Sequence, residues 1–174
     1  AVIVNIMRGG PGLGNILPSQ GDYFQATRGG GHGDYRTIVL APASVQELAD
    51  LTMDAFELAD RYRNPVIILA DGMMGQMMEP VEFNTPPPRQ YPECYVLKGM
   101  GKGKSKFIRA LILDAIRMEE HNWKLYRKYQ VIAQKEVRFE TFWTDDAEVL
   151  IVAYGTAARI AKGAIKRSRE MGLP

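Results

Sequence analysis

Three short, almost uninterrupted apolar runs constrain this chain most: AVIVNIM at 1–7, TIVLA at 37–41 and PVIILA at 65–70. They are rich in β-branched residues and lack the alternation of a half-exposed strand, so they read as strands buried on both faces of a parallel sheet. Between the second and third, Val45, Leu48, Leu51, Thr52, Ala55, Phe56, Leu58, Ala59 and Tyr62 recur at three- and four-residue spacing, which predicts an amphipathic helix. Ser44 and Glu47 give its start a capping-box pattern. Asn64-Pro65 ends it, because the residue before proline is pushed out of the helical region. A further helix is predicted from about Ser19 to Thr27, so residues 1–80 read as βαβαβ.

Residues 84–92 carry four of the ten prolines, and Gly99, Gly101 and Gly103 follow among lysines, the composition of an extended connection. From about Lys106 to Arg138 the pattern is helical and charged, with Ile108, Leu111, Ile112, Ala115, Ile116 and Met118 on one face. EVLIVAYG at 148–155 then reads as a buried strand reaching a glycine turn, and Thr156 to Met171 as a helix. The expected organisation is a partial parallel-sheet α/β domain at 1–83, a Pro/Gly/Lys-rich linker and helix at 84–142, and the start of a second α/β domain at 143–174. Residue 1 already lies inside a predicted strand and residue 174 precedes closure of the second domain, so a fragment of a longer chain is expected.

Composition narrows the function. Apolar residues make up 46% and charged residues 24%, which excludes a disordered or collagen-like chain. The single cysteine, Cys94, excludes disulfides, a Cys-based zinc site and an iron–sulfur cluster held by this chain alone. It sits among Tyr91, Pro92 and Tyr95 without a basic neighbour and does not read as a nucleophile. His32 and His121 lack metal-ligand spacing, so no metal site is expected. No run approaches the ~18 apolar residues of a membrane span, and the N-terminus lacks the features of a signal peptide; a cytoplasmic location away from membranes is expected. Net charge is −4 over 1–90, +5 over 91–140 and +1 over 141–174. Lys98, Lys102, Lys104 and Lys106 adjoin only one aromatic, Phe107, and read as a solvated linker rather than a nucleic-acid surface.

Nine of the seventeen glycines fall between Gly9 and Gly33, in RGGPGLGNILPSQGD (Arg8 to Asp22) and RGGGHGD (Arg28 to Asp34). Glycine loops past the carboxyl ends of parallel strands let backbone amides approach an anionic ligand. A dinucleotide fingerprint fails, since Asn15 stands where the third glycine is needed, and a Walker loop fails at Lys98. Arg8 offers two parallel hydrogen bonds to a carboxylate, or else braces the loop against Asp22 or Asp34. His32 is a candidate proton shuttle or a partner of loop backbone, and Asp34 a ligand acceptor or cap. Asp22 reads as a helix cap. Met73, Met74, Met77 and Met78 read as core packing or a subunit contact, and Asp71-Gly72 ends the third strand where a site belongs.

Taken together, VNIMRGGPGLGN, PSQGD, GGGHGDYRTIVLAP and FELADRYRNPVIILAD strongly resemble the alpha subunit of 2-oxoacid:ferredoxin oxidoreductases, most closely the branched-chain, 2-ketoisovalerate type. DAEVLIVAYG looks like the start of that subunit's second domain. The resemblance implies that 1–83 is the C-terminal part of a thiamin-diphosphate pyrimidine-binding domain, and that 143–174 opens a transketolase C-terminal-like domain. It implies oxidative decarboxylation of a 2-oxo acid, with coenzyme A as co-substrate and electrons passed to ferredoxin. A beta subunit would hold Mg²⁺, the diphosphate end of the cofactor and a [4Fe–4S] cluster, with gamma and delta subunits as further partners. By the same resemblance Arg8 contacts the substrate's carboxylate region, with Gly12, Leu13 and Asn15 beside the substrate, and Gly9, Gly10, Pro11, Gln20, Asp22, His32, Gly33 and Asp34 forming cofactor-proximal loops. Gly12 and Leu13 replace a serine and a threonine common in relatives, a less polar loop suited to a branched aliphatic acid. The glutamate that protonates the aminopyrimidine would lie upstream of Ala1, so the chain alone is expected to be inactive. Two other readings are a subunit-interaction module without site residues and a domain of a non-oxidative thiamin enzyme.

Overall fold

In a computed structural model, residues 1–83 and 110–173 are described. The expected Cys94, the lysine run and the proline-rich connection lie outside them. Three parallel strands, β1 (Val2–Met7), β2 (Ile38–Leu40) and β3 (Val66–Asp71), pair in the order β1-β3-β2, with Val66 facing both Val2 and Ile38. The last strand in sequence is therefore central. Its residues are buried on both faces, as its continuous apolar run requires. β1 departs from the expectation: among the described residues it pairs only with β3, and Ile3, Val4 and Ile6 are 49%, 56% and 41% exposed.

Helix α1 (Tyr23–Arg28) starts later than the sequence suggests, and α2 (Val45–Tyr62) falls where the periodicity puts it. α2 covers one face of the sheet, where Ala55, Leu58 and Ala59 meet Ile38, Leu40, Val66 and Ile68. Ser44 Oγ accepts the Glu47 amide at 3.1 Å, and Glu47 reaches back to accept the Ala43 amide at 2.7 Å, a near-reciprocal cap. At the other end Arg63 is left-handed, and the buried Asn64 donates from Nδ2 to the Arg36 carbonyl at 2.9 Å, tying the end of α2 to the approach to β2. On the opposite face Met7, Ala26 and Leu69 pack with Val39, Ile67 and Tyr154.

The chain divides into two compact units, one of Ala1–Phe83 with Val131–Pro174 and one of Asn84–Gln130. Of the helix expected from about Lys106, residues 106–109 lie outside the described residues and 110–114 are not helical; helix α3 (Ala115–Lys135) buries no residue, so Ile116 and Met118 do not form the predicted inward face. Within the first unit its last turn meets α2, with Ile132 against the core, Glu136 accepting from the Tyr62 hydroxyl, and Arg138 paired with Asp54 at 2.8 Å. Helix α4 (Gly155–Glu170) packs on β3 within the first unit.

The predicted strand at 148–155 is absent. Val149, Leu150, Ile151 and Val152 are 80%, 68%, 56% and 89% exposed, and among the described residues no strand lies beside them to complete a backbone ladder. No helix among the described residues is long and apolar enough to cross a membrane.

The segment after β3 is held at the start of α2. Glu79 accepts the Val45 amide at 3.2 Å and pairs with Arg159, while Gln46 exchanges hydrogen bonds with Glu82 backbone at 2.9 and 3.0 Å. The hydrogen bond from Arg159, then that from the Val45 amide, holds the Glu79 carboxyl below its ordinary value. A lowered folded-state value stabilises the fold above the unfolded glutamate's titration, near 4.5, and is lost as pH falls through the folded value. In denaturation of the full-length protein, wild type is expected to exceed Glu79→Gln at neutral pH and to lose that margin below pH ~4.5. Leu58→Ala, at a site 2% exposed, is expected to cost about 2–5 kcal/mol in the same measurement.

Candidate functional site

Because the strands are parallel, the carboxyl ends of β1 and β3 share one edge of the sheet. Arg8 leaves β1 there and opens a loop that returns at Pro18, opposite Arg8 in an isolated antiparallel bridge. The loop is closed by its own backbone: the Gly9 amide donates to the Leu17 carbonyl at 3.0 Å and the Asn15 amide to the Gly9 carbonyl at 2.8 Å. Asn15 Oδ1 accepts the Leu17 amide at 2.9 Å. Gly14 is obligatory, since its φ is +61° and a Cβ would lie 1.7 Å from the Gly9 carbonyl oxygen.

Beneath the loop, the Gly72 amide donates to the Met7 carbonyl at 2.9 Å, and a Cβ at Gly72 would sit 3.4 Å from the Ile16 carbonyl oxygen. Asp71, 4% exposed, accepts three hydrogen bonds at Oδ1: the Met73 amide at 3.0 Å, the Met74 amide at 3.1 Å and the Thr156 hydroxyl at 2.9 Å. Gln20 Nε2 donates to the Tyr154 carbonyl at 3.0 Å. Tyr23 stacks on Tyr154 with ring centroids 5.4 Å apart. The Tyr154 hydroxyl is buried without a hydrogen-bond partner among the described residues. Burial, reinforced by Tyr23 and the carboxylates of Asp71 and Asp22, pushes its phenol above the ordinary value, so it stays neutral.

The expected site residues divide into two groups. Arg8 is exposed, and among the described residues it makes no ion pair with Asp22 or Asp34. Gly9 to Leu13, with Pro11 among them, form the solvent side of the same loop, where Leu13 is 84% exposed and nothing lies within 4 Å of a Cβ built on Gly12. Asn15 serves the loop's own backbone. His32, Gly33 and Asp34 lie on a separate exposed turn, beside which the Tyr35 hydroxyl accepts the Gly30 amide at 2.7 Å. No hydrogen bond or ion pair among the described residues joins them to Arg8.

Asp22 corrects its expectation. It precedes α1 but its side chain caps nothing; Oδ2 accepts from Asn5 Nδ2 at 3.1 Å instead, because β1 brings that amide alongside. Of the methionine run, Met74 is buried in the core and Met78 is 97% exposed. Sequence reasoning missed Asn5, Tyr154 and Thr156, whose partners lie 17, 134 and 85 residues away. Only the position of Asp71 at a strand end pointed toward them.

Residues 1–107 match the family model described as pyruvate flavodoxin/ferredoxin oxidoreductase, thiamine diP-binding. The chain belongs to this family. It is 51% identical over 174 residues to the ketoisovalerate oxidoreductase subunit VorB of Methanothermobacter marburgensis, covering 99% of this chain and 49% of that protein. To the 2-oxoglutarate synthase subunit KorA of Archaeoglobus fulgidus it is 39% identical over 183 residues, covering 99% and 50%. The chain thus spans about half the length of these curated relatives. A 2-oxoglutarate:ferredoxin oxidoreductase from Magnetococcus marinus, solved with 2-oxoglutarate, coenzyme A and succinyl-CoA bound, shares the fold with a TM-score of 0.75 at 24% identity, over 99% of this chain and 35% of that one. The expected α/β fold and family are both borne out.

Gly14→Ala is expected to open the loop. Hydrogen exchange at the Asn15 and Leu17 amides should accelerate while exchange in β3 stays unchanged; protection of all three equal to wild type would contradict the obligatory glycine.

Proposed function

We propose that this chain is part of the alpha subunit of a thiamin-diphosphate-dependent 2-oxoacid:ferredoxin oxidoreductase that acts on a branched aliphatic 2-oxo acid in the cytoplasm. In the overall reaction the bond to the carboxylate breaks, CO₂ leaves, and the acyl carbon loses two electrons to ferredoxin as it forms a thioester with coenzyme A. One observation carries the reading: an exposed Arg8, without an ion pair among the described residues, on a self-closed glycine loop at the strand ends, in a chain 51% identical over 174 residues to a ketoisovalerate oxidoreductase subunit.

The donor set of the loop suits the organic end of the cofactor and the substrate. It offers one guanidinium and the apolar side chains of Leu13, Ile16 and Leu17, which are 84%, 81% and 64% exposed. In this reading residues 1–83 are the C-terminal part of the pyrimidine-binding domain and 143–174 open a second domain, while a beta subunit holds Mg²⁺, the diphosphate and the [4Fe–4S] cluster. When bound, thiamin diphosphate supplies the carbanion stabilisation that decarboxylation needs.

Arg8 grips the substrate carboxylate with two parallel hydrogen bonds and so fixes which bond faces the cofactor. Gly12 leaves room for the acid to approach, and Leu13 gives its branched side chain an apolar neighbour. Gly9, Gly10, Pro11, Gln20 and Asp22 shape the loop's roots, and His32, Gly33 and Asp34 complete the cofactor-facing edge from the neighbouring turn.

In the assembled enzyme, Arg8→Ala is expected to lower kcat/KM by an amount worth about 2–4 kcal/mol, the scale of removing one partner of a desolvated charge pair. An unchanged kcat/KM would remove the carboxylate role. With wild type, 2-ketoisovalerate should be preferred over pyruvate and 2-oxoglutarate; the reverse order would defeat the branched-chain assignment.

A further inference from the structure

Helix α4 starts in an unusual way. Its N-cap residue, Tyr154, makes no side-chain cap, and Thr156 in its first turn sends its hydroxyl outward to the buried Asp71 rather than to its own helix. The Tyr154 carbonyl receives the Gln20 side chain, and Gly155, with φ +57°, turns the chain into α4 beside it. These two bonds reach both roots of the Arg8 loop. Asp71 adjoins Gly72, whose amide holds the Met7 carbonyl immediately before Arg8, and Gln20 lies two residues past Pro18, where the loop closes. The stack of Tyr23 on Tyr154 adds an apolar contact beside the same joint.

We propose that Gln20 and Thr156 are positioning residues that clasp the start of α4 to the two roots of the Arg8 loop, fixing the loop from which Arg8 meets its ligand. The inference rests on the assignment of Arg8 to the substrate carboxylate. It makes the segment from 154 onward part of substrate capture although it touches no substrate. A guanidinium on a glycine-rich loop is accurate only if the loop's ends are held, and small misplacements of a positioning group cost much of its effect.

The test uses the full-length subunit assembled with its partner subunits and compares Thr156→Val, Thr156→Ser, Gln20→Leu and Arg8→Ala. Thr156→Val and Gln20→Leu are each expected to raise KM for 2-ketoisovalerate by about 5- to 20-fold with kcat within about twofold, the signature of weakened binding rather than altered chemistry. Thr156→Ser, which keeps the hydroxyl, should restore KM. In parallel, hydrogen exchange at Gly9, Asn15 and Leu17 should accelerate in the Val and Leu variants and return to wild-type rates in Ser. Unchanged KM in Thr156→Val and Gln20→Leu, beside a large loss in Arg8→Ala, would overturn the clasp. So would loss of thermal stability with KM intact, which marks a merely structural bond. If Arg8→Ala has no effect, the substrate assignment fails; loop exchange then decides the clasp separately, with unaltered rates overturning it and Ser-rescued acceleration supporting it.

Discussion

A carboxylate taken out of water must be repaid by donors, and Asp71 at the end of the central strand is the point where this fold meets that requirement. Two of its three donors are local, the amides of Met73 and Met74, which turn the chain sharply as it leaves β3. The third is the Thr156 hydroxyl from the far end of the sequence. Losing that donor would leave a buried charge under-satisfied, so the start of α4 is drawn to the strand end. The same stretch of chain carries Gly72, whose amide seals β1 to β3 just before Arg8.

From this joint the architecture follows in both directions. β3 is central and buried on both faces, with α2 packed against one and Ala26 and Tyr154 against the other. A parallel sheet leaves its loops at one edge, so the glycine-rich loop after β1 emerges beside the turn after β3. The loop closes on its own backbone through the amides of Gly9, Asn15 and Leu17, with the exposed Arg8 at its start. Charge is therefore displayed on a braced backbone, with apolar Leu13, Ile16 and Leu17 around it.

Much of this was legible in the amino-acid order. The three apolar runs located the strands within a residue or two, and the Ser44–Glu47 pattern and Asn64-Pro65 bounded α2, because these signals act through nearest neighbours. The glycine loop and Arg8 were legible for the same reason. Where the reading failed, the missing information was non-local. The apolar run at 148–155 has the composition of a strand, yet a strand exists only where a neighbour completes its hydrogen bonds. Asp22 has the chemistry of a cap, yet Asn5 on β1 claims its carboxylate.

The sequence by itself determined the three strands and α2, the membership of the family and the cation Arg8 at the start of a glycine loop, since composition and short-range spacing carry all three. Only the tertiary structure decided that β3 is central, that β1 stands at the edge, and that Gln20 and Thr156 join segments more than eighty residues apart. The physical reason is that strand order and buried-charge satisfaction depend on which surfaces meet, and a linear pattern does not encode the meeting of surfaces distant along the chain.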